Sequence, residues 1–330
     1  MGILESKLDR AFAPVAAAIK AGKIPGGILG LVDRDGNRVT RVMGQAQTVP
    51  AARAMTEDTW FDLASLSKVL FTTERILALA EAGTIDLDKP ITSVLPDFRH
   101  YNLDNWERKV TFRQCLGHQT PFPAVIPFYA YGRDPDLLRT LILQYEYTSG
   151  PSVYSDINFI LLGFVLERLN KCWIRDLDPG KGFAWGADPD NVAATEDCYW
   201  RHRVLAGEVH DDNCSALNGA GHAGLFGTVS SVLDFAAEKL QAAGANALIR
   251  TPLSGRRTHG WERPYEGWSG GELSSSSTIG HTGFTGTGLW LDFERGHAWT
   301  LLTNRVHPTR HFDSGIIPLR RAVADAINAN

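Results

Sequence analysis

No stretch of the 330 residues approaches the roughly 20 apolar residues that a bilayer-spanning helix needs, so no membrane partner is expected. Basic runs are also missing. The formal net charge is −4 and the signs are interspersed, which argues against a nucleic acid partner. Cysteine is scarce, with Cys115, Cys172, Cys198 and Cys214 far apart and no C-x-x-C. That spacing supports neither a disulfide framework nor a zinc site and suits a reducing compartment. The opening "MGILESKLDRAFAPV" has early acids and no continuous apolar core, so no secretory signal is expected. "MGILES" matches a myristoylation pattern at Gly2 and Ser6 only formally. A cytoplasmic location follows as the expectation. There is no internal repeat and no low-complexity tail, nothing indicates a homo-oligomer, and no residue pattern calls for a cofactor or a metal.

At 44% hydrophobic, a chain of this length can build one large core or two joined lobes. Leu4, Leu8, Phe12, Val15 and Ile19 recur at helical spacing, predicting an amphipathic helix over 3–21. "GGILGLVDRDGNRVTRVMG" (26–44) reads as two strands joined by a turn at Asp33-Arg34-Asp35-Gly36. A helix is predicted from Ser65 to about Gly83, and another over 157–169. Residues 120–135 hold three interior prolines and several aromatics, which marks a structured loop of the kind that lines pockets. Residues 172–203 and 251–280 read as irregular, 286–293 and 297–304 as a strand pair, and "IIPLRRAVADAINA" as a closing helix. Strands and helices at both ends, with mostly helix and loop between, predict an α+β body. Its sheet lobe is split between 1–84 and 221–330, a mainly helical lobe fills 85–220, and a cleft lies between them.

The chemistry starts in "FDLASLSKVLFTT" (61–73), where Lys68 stands in an otherwise apolar and hydroxylated stretch. Burying an ammonium group is unfavourable unless it is paired or used. On a helix, Ser65 and Lys68 share a face with Cβ atoms roughly 5–6 Å apart. A serine at a helix entrance can be activated by a neighbouring lysine, and nearby backbone N–H groups can hold the resulting anion. Ser-x-x-Lys occurs by chance in many proteins, and alone it reads better as an N-cap and a snorkelling lysine. Two further stretches decide between these readings. "GPSVYSDINFILLG" (150–163) sets Tyr154, Asp156 and Asn158 at the mouth of an apolar helix. "IGHTGFTGTGLWLD" (279–292) is a strand entrance whose glycines allow close backbone approach to a ligand.

Taken in the order Ser-x-x-Lys, Tyr-Ser-Asp, His-Thr-Gly, these motifs resemble the serine β-lactamase and penicillin-binding-protein superfamily, whose related triple is S-x-x-K, S-D-N, K-T-G. The tyrosine makes the chain most similar to the class C β-lactamase branch and its carboxylesterase and peptidase relatives. Segments such as "LAEAGTIDLDKPITSVLPDF", "VTFRQCLGHQT" and "GHAGLFGT" extend the resemblance over essentially the whole chain. The resemblance implies a β-lactamase-like fold, with an antiparallel sheet built from both chain ends, flanked by helices, and a helical lobe inserted. It implies Ser65 as the acylated nucleophile, Lys68 and Tyr154 as its proton partners, and the backbone N–H groups of Ser65 and Phe284 as an oxyanion hole. Which partner first takes the serine proton stays open. Burial beside a hydroxyl and a phenol is expected to lower the Lys68 pKa from about 10.4 toward the working pH, against the opposite pull of Asp156.

Two departures from the pattern bear on specificity. His281-Thr282-Gly283 stands where penicillin-handling members have Lys-Thr-Gly, replacing a fixed cation with a group mostly neutral near pH 7. Asp156 stands where they usually have asparagine, replacing an amide donor with a carboxylate that only accepts. Asp156, His281, Thr282 and Gly283 are thus the candidate substrate-binding residues. The expected activity is a carboxylesterase-like serine hydrolase acting on a small ester or amide, with weak or no β-lactam turnover. A β-lactamase, a D-amino-acid peptidase or amidase, a transacylase and a non-catalytic penicillin-recognising protein remain as alternatives. "GWSGG" (267–271) fits the G-x-S-x-G nucleophile elbow but lacks the strand and helix that motif needs, so Ser269 is read as a loop residue. "HDDNCSALNGAGHAG" (210–224) matches no common ligand spacing and reads as a turn held by local hydrogen bonds. His118 and His307 are read as structural. Trp261 and Trp268 suit pocket or packing equally.

Overall fold

The computed structural model describes residues 2–242, 244 and 246–329. Helix α1 (Ile3–Lys20) leads into strands β1 (Gly26–Asp33) and β2 (Arg38–Gln47). The turn between the strands is local chemistry: Asp33 Oδ1 accepts from the N–H groups of Asp35 and Asn37, and Gly36 takes φ +87°. A short strand β3 (Arg53–Ala54) borders β2. Much later the chain supplies β4 (Thr278–Thr282), β5 (Gly288–Asp292) and β6 (His297–Thr303). The six strands run in the order β3-β2-β1-β6-β5-β4, every neighbouring pair antiparallel, so the sheet closes by pairing Gly27 of β1 with Thr303 of β6.

Strand β1 is almost wholly apolar because the sheet is covered on both faces. Leu29 and Leu31 point toward α1 and the last helix, α2 (Ile316–Asn328). Ile28 and Val32 point the other way, into a core shared with the helix Val229–Gln241 and the helical middle of the chain. Trp261 and Trp268 are fully buried packing residues, one in each of these two clusters. The middle of the chain carries the helices Phe112–Leu116, Pro135–Gln144 and Asp156–Asn170, with long loops around them. Among the described residues no helix is long and apolar enough to cross a membrane.

The helix predicted from Ser65 departs from a regular α-helix. A π-turn spans Lys68–Thr72, interrupting a helix that opens at Leu66 and Ser67 and runs on as a regular α-helix from Thr73 to Glu81. The wider turn has a purpose in packing, since Thr72 Oγ1 donates to the Gly221 carbonyl while Lys68 Nζ donates to that of His222. The segment 251–280 is irregular only to residue 277, because β4 begins at Thr278.

Candidate active site

Ser65 sits in a tight turn that several bonds hold in place. Ala64, just before it, has φ +47°, an uncommon value for a residue with a side chain. The buried Asp62 carboxylate stabilises that shape by accepting from Ala64 N–H at 2.8 Å and from His210 N–H at 2.6 Å. Ser67 braces the turn from inside, donating to Ala64 O at 2.6 Å and accepting from Leu225 N–H at 3.0 Å.

The Lys68 ammonium is completely buried. It lies 2.9 Å from Ser65 Oγ, 3.1 Å from His222 O and 2.8 Å from Asp156 Oδ1, and it hydrogen-bonds the Tyr154 phenol as well. Three N–H donors therefore face four oxygens. Burial works against the charge, but the Asp156 carboxylate and then the Tyr154 oxygen more than offset it, and the Lys68 pKa stands above the ordinary lysine value. The expected fall toward neutral is thus corrected: the carboxylate at 2.8 Å outweighs desolvation, and Lys68 is an ammonium at working pH.

Tyr154 and Asp156 arrive together at the start of the helix Asp156–Asn170. The aromatic loop fixes that entrance, since Ala124 O accepts from Asp156 N–H and Pro123 O from the Ser155 hydroxyl. The phenol hydrogen-bonds Ser65 and Lys68; burial raises its pKa, so it is a neutral phenol. His118 packs behind it, its ring tilted by 35° with centroids 4.5 Å apart, and its Nδ1 accepts from Ser155 N–H at 3.1 Å. Asn158 is buried outside the cleft, where its amide reaches His118 and Thr120. His281 lies on the other side of Tyr154, centroids 5.9 Å apart. Burial first, then the charges of Lys68 and Arg257, hold His281 well below the usual histidine range, so it is neutral.

Beyond His281 and Thr282, the loop 283–287 is tied to the nucleophile turn. Thr285 Oγ1 donates to Asp62 O at 2.8 Å and Thr287 Oγ1 to Leu63 O at 3.0 Å. Among the described residues the backbone N–H groups of Ser65 and Phe284 have no protein partner, leaving two unspent donors at the cleft. Ser65, Tyr154, Asp156, His281, Thr282, Gly283 and Phe284 all line one cavity of about 970 Å³. Such an arrangement can acylate a serine, move its proton through a neighbouring phenol and hold an oxyanion.

The 210–224 segment is held by local bonds: Asp211 accepts from Cys214 N–H at 2.7 Å and pairs with His222 Nε2 at 2.8 Å. It also carries more than its spacing suggests. Ligand atoms of Asp156, Asp211 and His222 lie within 4.8 Å of one another, and the positive charge among them is Lys68. Four arginines at the cleft had no signal in the sequence, because each comes from a distant segment. Arg257 pairs with Glu262 and Arg310 with Glu196 and Asp212, Arg305 stacks on Phe284, and Arg320 binds backbone carbonyls. Ser269 lies in a loop, 3.3 Å from Trp290 Nε1. His307 Nε2 accepts from Thr48 N–H, a structural use.

A family model described as Beta-lactamase matches residues 8–323. The N-acetylmuramyl-L-alanine amidase of Bacillus subtilis (strain 168) is 27% identical over 310 residues, covering 76% of this chain and 68% of that protein. Among solved structures, EstCE1, a hydrolase with promiscuous acyltransferase activity, superposes with a TM-score of 0.75 at 20% identity, over 99% of this chain and 100% of its own. A class C beta-lactamase gives 0.76 at 16% identity, over 99% and 98%.

Proposed function

The chain belongs to the Beta-lactamase family of serine hydrolases, and on that footing we propose that it cleaves a small ester or amide through an acyl-enzyme on Ser65. The observation that carries this reading is the Lys68–Ser65–Tyr154 cluster, with Lys68 Nζ 2.9 Å from Ser65 Oγ and the phenol hydrogen-bonded to both. Because Lys68 is an ammonium with its donors engaged, the proton route runs through Tyr154. Ser65 Oγ bonds to the substrate carbonyl carbon as its proton passes to the phenol oxygen. The phenol's own proton passes to the leaving group, the carbonyl–leaving-group bond breaks, and the acyl-enzyme remains. Water entering by the reverse relay then releases the acid. The N–H groups of Ser65 and Phe284 hold the oxyanion, while Lys68 keeps Ser65 oriented and favours negative charge on the phenol oxygen.

Uncharged substrates fit best. His281 carries no charge, Asp156 is matched by Lys68, Arg257 and Arg310 are matched by carboxylates, and Arg305 and Arg320 are engaged by the Phe284 ring and by backbone carbonyls. β-Lactam turnover should therefore be weak. Four free cysteines suit a reducing, cytoplasmic setting. Intact-mass spectrometry after brief exposure to ester, amide and β-lactam panels tests the assignment. A short-chain ester should leave an acyl mass that maps to Ser65 and vanishes in Ser65→Ala; an adduct mapped to Ser269 instead would overturn it.

A further inference from the structure

Arg320, on α2, is a charge the acyl-transfer chemistry above leaves unused. It is only 6% exposed, and among the described residues no carboxylate lies within ion-pair distance of it. An unpaired buried guanidinium is unfavourable, so its surroundings must use it. Nη2 donates to Gly283 O at 2.9 Å and to Thr287 O at 2.6 Å, the two ends of the loop between β4 and β5. Gly283 N–H closes the same loop by donating to Thr287 O at 2.8 Å. Across a trans peptide the carbonyl of one residue and the N–H of the next point in opposite directions. A carbonyl of Gly283 pinned toward Arg320 therefore aims the N–H of Phe284 away from it. Gly283 itself abuts the nucleophile turn, since a Cβ there would stand 2.6 Å from Leu63 O and 3.3 Å from Ala64 Cβ.

We propose that Arg320 is a positioning residue of the oxyanion hole, holding the Gly283–Phe284 peptide from behind so that the Phe284 N–H faces the carbonyl undergoing attack at Ser65. The inference rests on the acyl-enzyme reading. The guanidinium has a second effect. Burial and the neighbouring Arg305 pull its pKa down to about 9, which leaves it protonated at neutral pH, and its charge behind the peptide strengthens the field at the oxyanion. Arg305 secures the next peptide, its Nε donating to Phe284 O at 2.8 Å.

The test uses the full chain, native and as Arg320→Met and Arg320→Lys, with a p-nitrophenyl ester, a phenylboronic acid and infrared spectra of the acyl-enzyme. The boronic acid forms a tetrahedral adduct on serine and so reports on the oxyanion hole separately from substrate binding. Arg320→Met should lose roughly 10²- to 10³-fold in kcat, as for removal of one oxyanion donor, with KM within about threefold of native. Boronate affinity should fall in parallel, and the acyl carbonyl band should move to higher frequency. Arg320→Lys, keeping the charge and one donor, should retain part of each and carries the same readouts if the methionine variant does not fold. A folded variant with kcat within about threefold of native, or a loss confined to KM with boronate affinity intact, overturns the inference. So does a native acyl-enzyme whose carbonyl band lies no lower than that of the free ester in water, a measurement that needs no variant. If the native protein forms no acyl-enzyme on Ser65, the reading beneath fails; acylation indifferent to Arg320 removes only this inference.

Discussion

Replacing Gly283 with alanine tests how tightly the nucleophile and the oxyanion donors are held together. The added carbon would lie 2.1 Å from Thr287 Oγ1 and 2.6 Å from Leu63 O. The Thr287 hydroxyl can rotate away only by giving up its bond to Leu63 O, worth about 1 kcal/mol. Leu63 O is backbone and has no such freedom; it must retreat by about 0.8 Å to reach an ordinary contact of 3.4 Å. Ser65 lies two residues further on, so the gap between its Oγ and the Phe284 N–H opens by a similar amount. A misplacement of about 1 Å costs about 10²-fold in rate, which puts this one near fortyfold, and overpacking adds about 1–3 kcal/mol of destabilisation. Stopped-flow release of p-nitrophenol measures the acylation burst directly, and thermal unfolding measures the strain. The burst rate constant should fall roughly ten- to a hundredfold with KM little changed, and the melting temperature should drop by a few degrees. A variant within twofold of the native burst rate and unchanged in melting would show that the loop yields freely, and the argument from contact distances would be refuted.

Asp156→Asn removes the chief support of the Lys68 charge. A raised lysine pKa contributes stability that is fully present below the unfolded value and is lost as pH rises through the folded one, so the native protein holds this contribution at neutral pH. The variant should melt lower at pH 7, and the alkaline limb of its rate profile should move toward neutral; an unchanged profile would mean that Lys68 does not act as an ammonium. Tyr154→Phe and Lys68→Ala should each lose most of kcat while the chain stays folded, and the double variant should lose little more than either alone, since the two act as a unit. Additive losses would assign one of them a purely structural place. Asp156→Asn with His281→Lys, which restores the penicillin-handling pattern, should raise nitrocefin acylation above native, and no gain would show that loop shape rather than charge sets specificity.

What could be read directly from the sequence was the chemistry that is local in the chain. Ser65 and Lys68 are three residues apart, and the α1 stripe and the Asp33–Gly36 turn repeat or close within a few residues. The Tyr154 and His281 motifs were legible as polar and glycine-rich interruptions of apolar segments. The failures all arise where distant segments meet. The direction of the Lys68 pKa depends on a carboxylate arriving from another helix at 2.8 Å. The π-turn answers to carbonyls at 221 and 222, which nothing in "SKVLFTT" announces. His118 behind Tyr154, Asp62 beneath Ala64 and the arginines around the cleft are likewise set by tertiary packing.

The pairing of β1 with β6 makes the order of synthesis matter. Ser65 and Lys68 emerge early, yet one oxyanion donor belongs to Phe284, and the strand that completes the sheet ends at Thr303. Until then β1 has one open edge, carrying a run that is buried along nearly its whole length in the finished sheet. An apolar strand with unpaired backbone is a template for pairing with another chain. A chain stopped short of β6 therefore cannot become a weakened hydrolase; β4 and β5, which flank Phe284, have no strand joining them to β1, and the sheet has an adhesive border, so truncation leads to aggregation instead of partial activity.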